Sequence, residues 1–455
     1  MSEPNQKEYT LKEVVFQSQR MGFSDIDLMP SCTDLDVFES VDKPYITAKL
    51  ILLDTAGFLE NADILGGEKI TIALQSNRPN TKEIRKTFFI TKILKQERTN
   101  DSVQVLMLHL IEDIGYESNL FNVNRYYEGK GSDIIKKIVG EYLQTGLATD
   151  ENDFQKFKLI IPNLTPIDAA LWISKKLTTE FGYPYFLFST LAGKKLSLKD
   201  LGTMLSSDNI INPDPLGQGP NSTFIYSQAL AGKLTSHKER LISGFTVKNG
   251  EDLFTIINKG FIGSKYTMIQ AAGTDEAADS TFNFDVVKDL LKPLISTMPR
   301  YQNNPPYTPK FSHNGKPYNE LPSRHKTLIS GNYAWRTQSS ETEFDTGVGE
   351  EKDIATYKLQ IMKDAVEKLL KTEHMEMSVN GTSFIDGNIH STIGNQISCT
   401  FLSSVPEAKV SEQVDHKLSG NYLIYRTRHM FKSMNGLDSK YDLSMSCVKL
   451  GRRNF

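Results

Sequence analysis

Cysteine is scarce in this chain: Cys32, Cys399 and Cys447 stand far apart among 455 residues. Three thiols at that spacing build neither a disulfide scaffold nor a C-x-x-C metal site, and they fit reduced cysteines in a protein synthesised in the cytoplasm. Long apolar runs are missing too. No stretch reaches the roughly 18 uninterrupted apolar residues of a spanning helix, so no membrane-spanning segment is expected. The opening MSEPNQKEYT has neither the basic start nor the apolar core of a signal peptide, which argues against export by that route. Nor is basic charge in excess: 52 Lys and Arg face 55 Asp and Glu, a formal net charge of -3. A protein that reads nucleic-acid sequence usually carries a basic domain, so that class is set aside.

Catalytic signatures are equally sparse. The eight histidines never fall at H-E-x-x-H or H-x3-H spacing, so a zinc site would have to be assembled from distant residues. GFLEN and GTSFI are not G-x-S-x-G nucleophile elbows. The stretch ILLDTAGF (51–58) resembles the D-x-x-G element of small GTPases, but no glycine-rich loop with GK[ST] stands in residues 1–50 to hold a triphosphate and its magnesium ion. It reads as a strand ending in a turn. GKGSD (129–133) leads into a helix, and N-capping by Ser132 accounts for it better than an anion held on its amides. No catalytic residue, cofactor or metal ligand is expected, and the chain is not read as an enzyme.

What the sequence does hold is strand pattern. With 39% hydrophobic and 24% charged residues it has an ordinary globular composition, enough for about two to four domains. Four β-like runs, ITAKLILLD, KITIAL, RKTFFITKILKQE and SVQVLMLHLIE, lie between Tyr45 and Glu112 with polar turns between them, the mark of a small antiparallel barrel or sandwich. Helical signals then take over. Ser132 opens DIIKKIVGEYL, and Thr165-Pro166 with Asp168 makes a capping-box-like start for IDAALWISKKL, followed by the strand YPYFLFST. Residues 208–221 read as a linker. A second β region starts with GFTVKNGEDLF and KYTMIQAAG, is interrupted by a segment holding six prolines from Pro299 to Pro322, and resumes after the amphipathic helix DIATYKLQIMKDAVEKLLK with MEMSVNG and QISCTF.

The last hairpin is the clearest element. Asn435-Gly436 sits in its loop. Tyr441, Leu443, Met445 and Cys447 share one face of the final run; Leu423, Tyr425, His429 and Phe431 share a face of the run before it, with Arg426 and Arg428 on the other side. One side packs and the other is wet and basic.

These segments resemble the central hub protein of contractile-phage baseplates of the T-even type, related to the hub part of type VI secretion spike proteins. DKPYITAKLILLDTAGFLENADILGGEKITIAL is similar to the opening of such hubs, with a D-x-L-x-G-E-x-I-x-I strand entry at Asp63 to Ile72. GNIHSTIGNQISCTF (387–401) is similar to their second-barrel segment. G-x-Y-x-I-x-x-x-x-H at Gly420 to His429, followed by Y-x-L-x-M-x-x-V-x-L-G at Tyr441 to Gly451, resembles the terminal strands shared by hub and spike families.

The resemblance implies a β-rich α+β chain with two related antiparallel β-barrel domains of tube type. The first would span 1–115, an α/β domain 116–205, the second barrel with its helix 206–275 and 353–455, and a proline-rich insertion 276–352. It implies a homotrimer whose barrels form a pseudo-six-fold ring in the virion tail baseplate, assembled in the host cytoplasm, joining a trimeric spike to the six-fold tail tube and letting DNA pass unread at genome ejection. Because no oligosaccharide-binding barrel or β-helix repeat follows the last strand, a separate central spike protein is the expected partner, beside a tail-tube or tube-initiator protein and wedge or other baseplate proteins. Arg426, Arg428, Tyr441, Leu443 and Met445 are the candidate subunit or tube interface. Two alternatives stay open: another tube-initiator or cap protein, and a cell-wall-binding or hydrolytic baseplate component suggested by Trp172, Trp335 and the tyrosines from Tyr301 to Tyr333.

Overall fold

The computed structural model describes residues 8–206, apart from 23–24, 56, 63, 78–80, 101–102 and 154–155, and then 223–226, 241–249, 264–270, 280–284, 312–317, 324–330, 363, 367, 373–384, 392–403, 415, 418–432 and 439–448. The chain is β-rich, with few helices and one large, mostly antiparallel sheet. A first β unit holds β1 (Tyr9–Gln17), β2 (Ile26–Asp27), β3 (Cys32–Ser40), β4 (Thr47–Asp54), the one-turn helix α1 (Phe58–Ala62), β5 (Lys69–Ser76), β6 (Ile84–Asn100) and β7 (Val103–Glu112). The middle α/β unit holds α2 (Asp113–Ser118), β8 (Tyr126–Lys130), α3 (Gly131–Leu143), β9 (Leu147–Thr149), β10 (Lys156–Ile160), α4 (Pro166–Ser174), β11 (Tyr185–Phe188), β12 (Leu196–Asp200) and α5 (Leu201–Ser206). Beyond it come β13 (Thr223–Tyr226), β14 (Ile242–Asn249), β15 (Ser264–Gln270), β16 (Ser280–Phe284), β17 (Ser312–His313), β18 (Lys316–Pro317), β19 (Arg324–Ser330), β20 (Glu373–Asn380), β21 (Gln396–Phe401), β22 (Gly420–Lys432) and β23 (Lys440–Val448).

Among the described residues the main sheet has 13 strands, in the order β14-β20-β23-β22-β3-β4-β7-β6-β5-β1-β2, with β21 also on β22 and β13 on β21. Alternation builds it: along β4, Ala48, Leu50 and Leu52 are buried while Lys49, Ile51 and Leu53 face outward. Three apolar cores result. The first β unit packs Val14, Phe16, Leu35, Leu50, Phe88 and Leu108; the second packs Phe224, Met377, Phe401, Leu423, Leu443 and Met445; the middle unit packs α3 and α4 through Ile134, Ile138, Ile167 and Ile173.

Several expectations change on contact with the structure. Three further strands, β1, β2 and β3, belong to the first unit: a bulge between Leu11 and Glu13 breaks the alternation of β1, β2 is only two residues long, and β3 carries three acidic residues, a type depleted in strands. Ser132 is not the cap of α3. Lys130 occupies the cap position, and the Ser132 amide donates to the distant Asp153 carboxylate at 3.0 Å. Thr165 does cap α4, its hydroxyl oxygen accepting from the Asp168 amide at 3.2 Å. Asp54 of ILLDTAGF accepts the Phe58 amide at 2.9 Å and starts α1. Strand β15, grouped above with the second β region, pairs instead with β16 and β19 from the proline-rich segment. The 208–221 linker, the Asn435-Gly436 turn and most of the 353–371 helix lie outside the described residues.

Candidate functional site

The closing hairpin sits where the two β units meet. β22 pairs with β23 from Leu423 to Lys432, but its other edge is divided: Gly420 to Leu423 pair with β21, and Arg426 to Phe431 pair with β3 of the first unit. A register shift between Ile424 and Arg426 marks the changeover. One strand is thus shared between two cores. On β23, Tyr441 belongs to the core of the first unit, whereas Leu443, Met445 and Cys447 belong to that of the second. The far side of the first unit returns to the same hairpin through Glu8, whose amide donates to the Ser439 carbonyl at 3.2 Å and whose carboxylate accepts from the Tyr441 amide at 2.6 Å and Asn380 at 2.7 Å.

A buried polar network lies inside this junction. Glu39 Oε2 accepts from the Thr427 hydroxyl at 2.8 Å and lies 3.1 Å from His429 Nε2, while His429 Nδ1 meets the Tyr441 hydroxyl at 2.6 Å. Glu39 Oε1 accepts the amide of Leu191, which arrives from the middle unit. None of Glu39, Thr427, His429 and Tyr441 exceeds 4% exposure. Burial pushes the Glu39 carboxyl up, but the charge and hydrogen bond of His429, the Leu191 amide and the Thr427 hydroxyl outweigh it, leaving Glu39 below the usual carboxylate range. The Tyr441 hydroxyl is pushed well up by burial and by Glu39 beside it. Aromatic rings frame the network: Phe431 stacks on Tyr441 at 4.5 Å, and Tyr9 meets Phe431 edge-on at 5.2 Å.

A second buried carboxylate repeats the device. Glu112, at the end of β7, accepts the Ile46 amide at 3.0 Å, Lys86 Nζ at 2.5 Å and the Ser189 hydroxyl at 2.8 Å. Ser189 and Leu191 lie in the loop that follows β11, so two carboxylates of the first unit grip one segment of the middle unit. Beside this grip opens a cleft of about 960 Å³ whose walls include Lys86, Phe121, Tyr142 and Lys195.

Neither carboxylate was anticipated from sequence, although a signal exists. Glu39 follows Leu35 and Val37 on the inward parity of β3, and Glu112 follows Leu106, Leu108 and Leu110 on that of β7. A charged residue that ends an apolar parity marks a buried partner.

The five interface candidates separate into two groups. Tyr441, Leu443 and Met445 have 0% exposure: their side chains fill this chain's own cores and present nothing to a neighbouring subunit, because the face they line is covered by both β units. Arg426 and Arg428 do point outward, with intrachain partners across the β22–β3 seam: Arg426 Nη2 lies 2.9 Å from Asp42, and Arg428 Nη2 lies 2.7 Å from Asp36. Those Arg–Asp pairs occupy the outer rim directly above the buried Glu39 network. Among the described residues no cluster of three or more His, Cys, Asp or Glu is arranged to hold a metal, and no helix is long and apolar enough to cross a membrane.

No family model matches this chain, and no curated protein matches it. Solved structures do. The tail protein from Neisseria meningitidis MC58 shares the fold over 98% of both chains at a TM-score of 0.52 and 12% identity. The 43 kDa tail protein of prophage MuSo2 from Shewanella oneidensis matches 96% of this chain and 98% of its own at 0.51 and 10% identity. At such identities the likeness is one of fold.

Proposed function

We propose that the chain is the structural hub of a contractile-tail baseplate: a homotrimer in which two β units per subunit, curled as barrels, form a pseudo-six-fold ring. The ring would join a trimeric spike to a six-fold tube and leave a lumen for DNA. The observation that carries this reading is β22, one strand laddered to both β units, which locks them side by side in a fixed orientation. A ring needs that rigidity, since two units on a flexible tether would not repeat a six-fold spacing. Two polar grips hold the middle unit against the first in the same rigid body. The whole-length fold shared with two tail proteins supports a role in a tail. In this reading a separate spike and a tube or tube-initiator protein bind opposite faces of the ring, and catalysis is no part of the chain's work.

Native mass spectrometry of the purified chain tests the reading. A species near three times 51.3 kDa is the expected result. A monomer that stays monomeric when mixed with spike protein would overturn it.

A further inference from the structure

The outward side chains of β4, β7 and β6 form a grid whose rows follow from the strand registers. Lys49, His109 and Lys92 make one row, Ile51, Met107 and Lys95 the next, and Leu53, Val105 and Glu97 the third. The middle of the grid is apolar and open: Leu53 is 39% exposed, Leu94 at its margin 38%, and Ile51, Val105 and Met107 are each partly exposed. Its first row is cationic. Lys95 pairs with Glu97, and Asp36 at the border is engaged by Arg428, but no carboxylate among the described residues pairs with Lys43, Lys49 or Lys92. Their charges converge on His109, whose ring is held by Thr91 Oγ1 at 2.6 Å from Nδ1. The imidazole registers the crowding: partial burial first, then Lys92, Lys49 and Lys43, hold it below the usual histidine range.

We propose that this face is a docking surface for a protein partner that presents carboxylates next to apolar side chains. Lys49 lies over the Phe38 ring at 5.7 Å, but cations that meet no carboxylate among the described residues and border an exposed apolar patch are complementary to that chemistry, and the partner's acid groups would supply the opposite charge. A phosphodiester backbone would satisfy the lysines but leave Ile51, Leu53, Val105 and Met107 wet, which favours protein over nucleic acid. β6 pairs with β5 only from Ile84 to Phe89, and the edge it leaves open beyond that point is not the docking element. Bulges at Thr91, Leu94 and Thr99, and lysines at 92 and 95, guard that edge against strand addition. The proposal is independent of the trimer reading, since it concerns a surface of one subunit.

The probe is a short synthetic peptide alternating glutamate and leucine, titrated into the full chain carrying isotope-labelled histidine, with His109→Gln assigning the His109 resonance. Saturable binding that raises the pH at which His109 protonates is expected. Lys49→Glu combined with Lys92→Glu should weaken binding by about tenfold or more. Leu53→Ser should weaken it several-fold while the native mass stays that of the parent. Absence of saturable peptide binding overturns the proposal. Tighter binding of duplex DNA than of peptide, unaffected by Leu53→Ser, overturns it in favour of a nucleic-acid face. A changed native mass in the double lysine variant overturns it in favour of a contact between copies.

Discussion

The first β unit holds its two neighbours by different means. Toward the second β unit the join is backbone, with β22 laddered to β3 on the same edge that it offers to β21. Toward the middle unit the join includes two buried carboxylates reaching Ser189 and Leu191. A ladder tolerates changes in the side chains that ride on it, whereas a buried carboxylate depends on every donor around it being in place. The chain is therefore sensitive to single atoms at the carboxylate join and to shape alone at the ladder.

The largest effects should come from the shared hairpin. Tyr441→Ala and Leu443→Ala are two positions apart on β23 but empty different cores. Losses of about 3–5 kcal/mol for the tyrosine and 2–5 kcal/mol for the leucine are expected from truncation at fully buried sites. Urea unfolding followed by tyrosine fluorescence and by circular dichroism should give one coincident transition in each variant, because β23 serves both units. Separated transitions would show that the β units melt independently and that the shared strand does not couple them.

Glu39→Ala strikes the other kind of join. It strands the Leu191 amide, the Thr427 hydroxyl and His429 in a dry site, and truncating one member of a buried pair costs about 3–5 kcal/mol. Hydrogen exchange should quicken at residues 189–191 more than within β22, since the ladder survives the change. The same group fixes a pH dependence. Its folded value is depressed from an ordinary 4.5, so its contribution is fully present above that pH and is lost as pH falls through the folded value. Glu39→Gln should flatten the acid limb of the stability profile; an unchanged acid limb would mean that Glu39 does not carry it.

Gly381 probes shape alone. A methyl group there would lie 2.4 Å from the Tyr441 ring while the glycine amide donates to the Tyr441 carbonyl at 2.8 Å. Gly381→Ala is expected to destabilise by about 1–3 kcal/mol through overpacking, measurable as a lower urea midpoint at constant slope. Pairing it with Tyr441→Ala should recover most of that loss, because the ring it strikes is then gone.

The hairpin that carries the ladder join was more legible in sequence than the carboxylates, for a physical reason. Period-two alternation names the faces of a strand, so the hairpin, its packed side and its outward arginines could be read from Tyr422 to Cys447. Which neighbour covers each half of β22 is a long-range fact, and sequence parity does not record that Arg428 stands opposite Phe38. The same limit applies to the packed face: alternation does not tell a face covered by a neighbouring subunit from one covered by the chain itself, and Tyr441, Leu443 and Met445 are fully buried in the chain's own two β cores. Glu39 and Glu112 carried a local signal in their inward parity, but their partner loop lies 152 and 77 residues away.

The smallest effect should come from the outer rim. Arg428 reaches Asp36 at 2.7 Å and leans on Phe38, while its side chain remains 49% exposed. Water screens such a pair and side-chain entropy opposes it, so a double-mutant cycle of Arg428→Ala with Asp36→Ala should return about 0.2–1 kcal/mol. Glu39 belongs to the same strand pair but is buried. Both sites pair a cation or histidine of β22 with an acid of β3, and they differ chiefly in exposure. A coupling in the isolated chain as large as the Glu39 effect would mean that the rim, too, is sealed from water, by a neighbouring copy of the chain. That would restore Arg428 to the subunit interface, and the coupling should then fall with dilution as the copies separate.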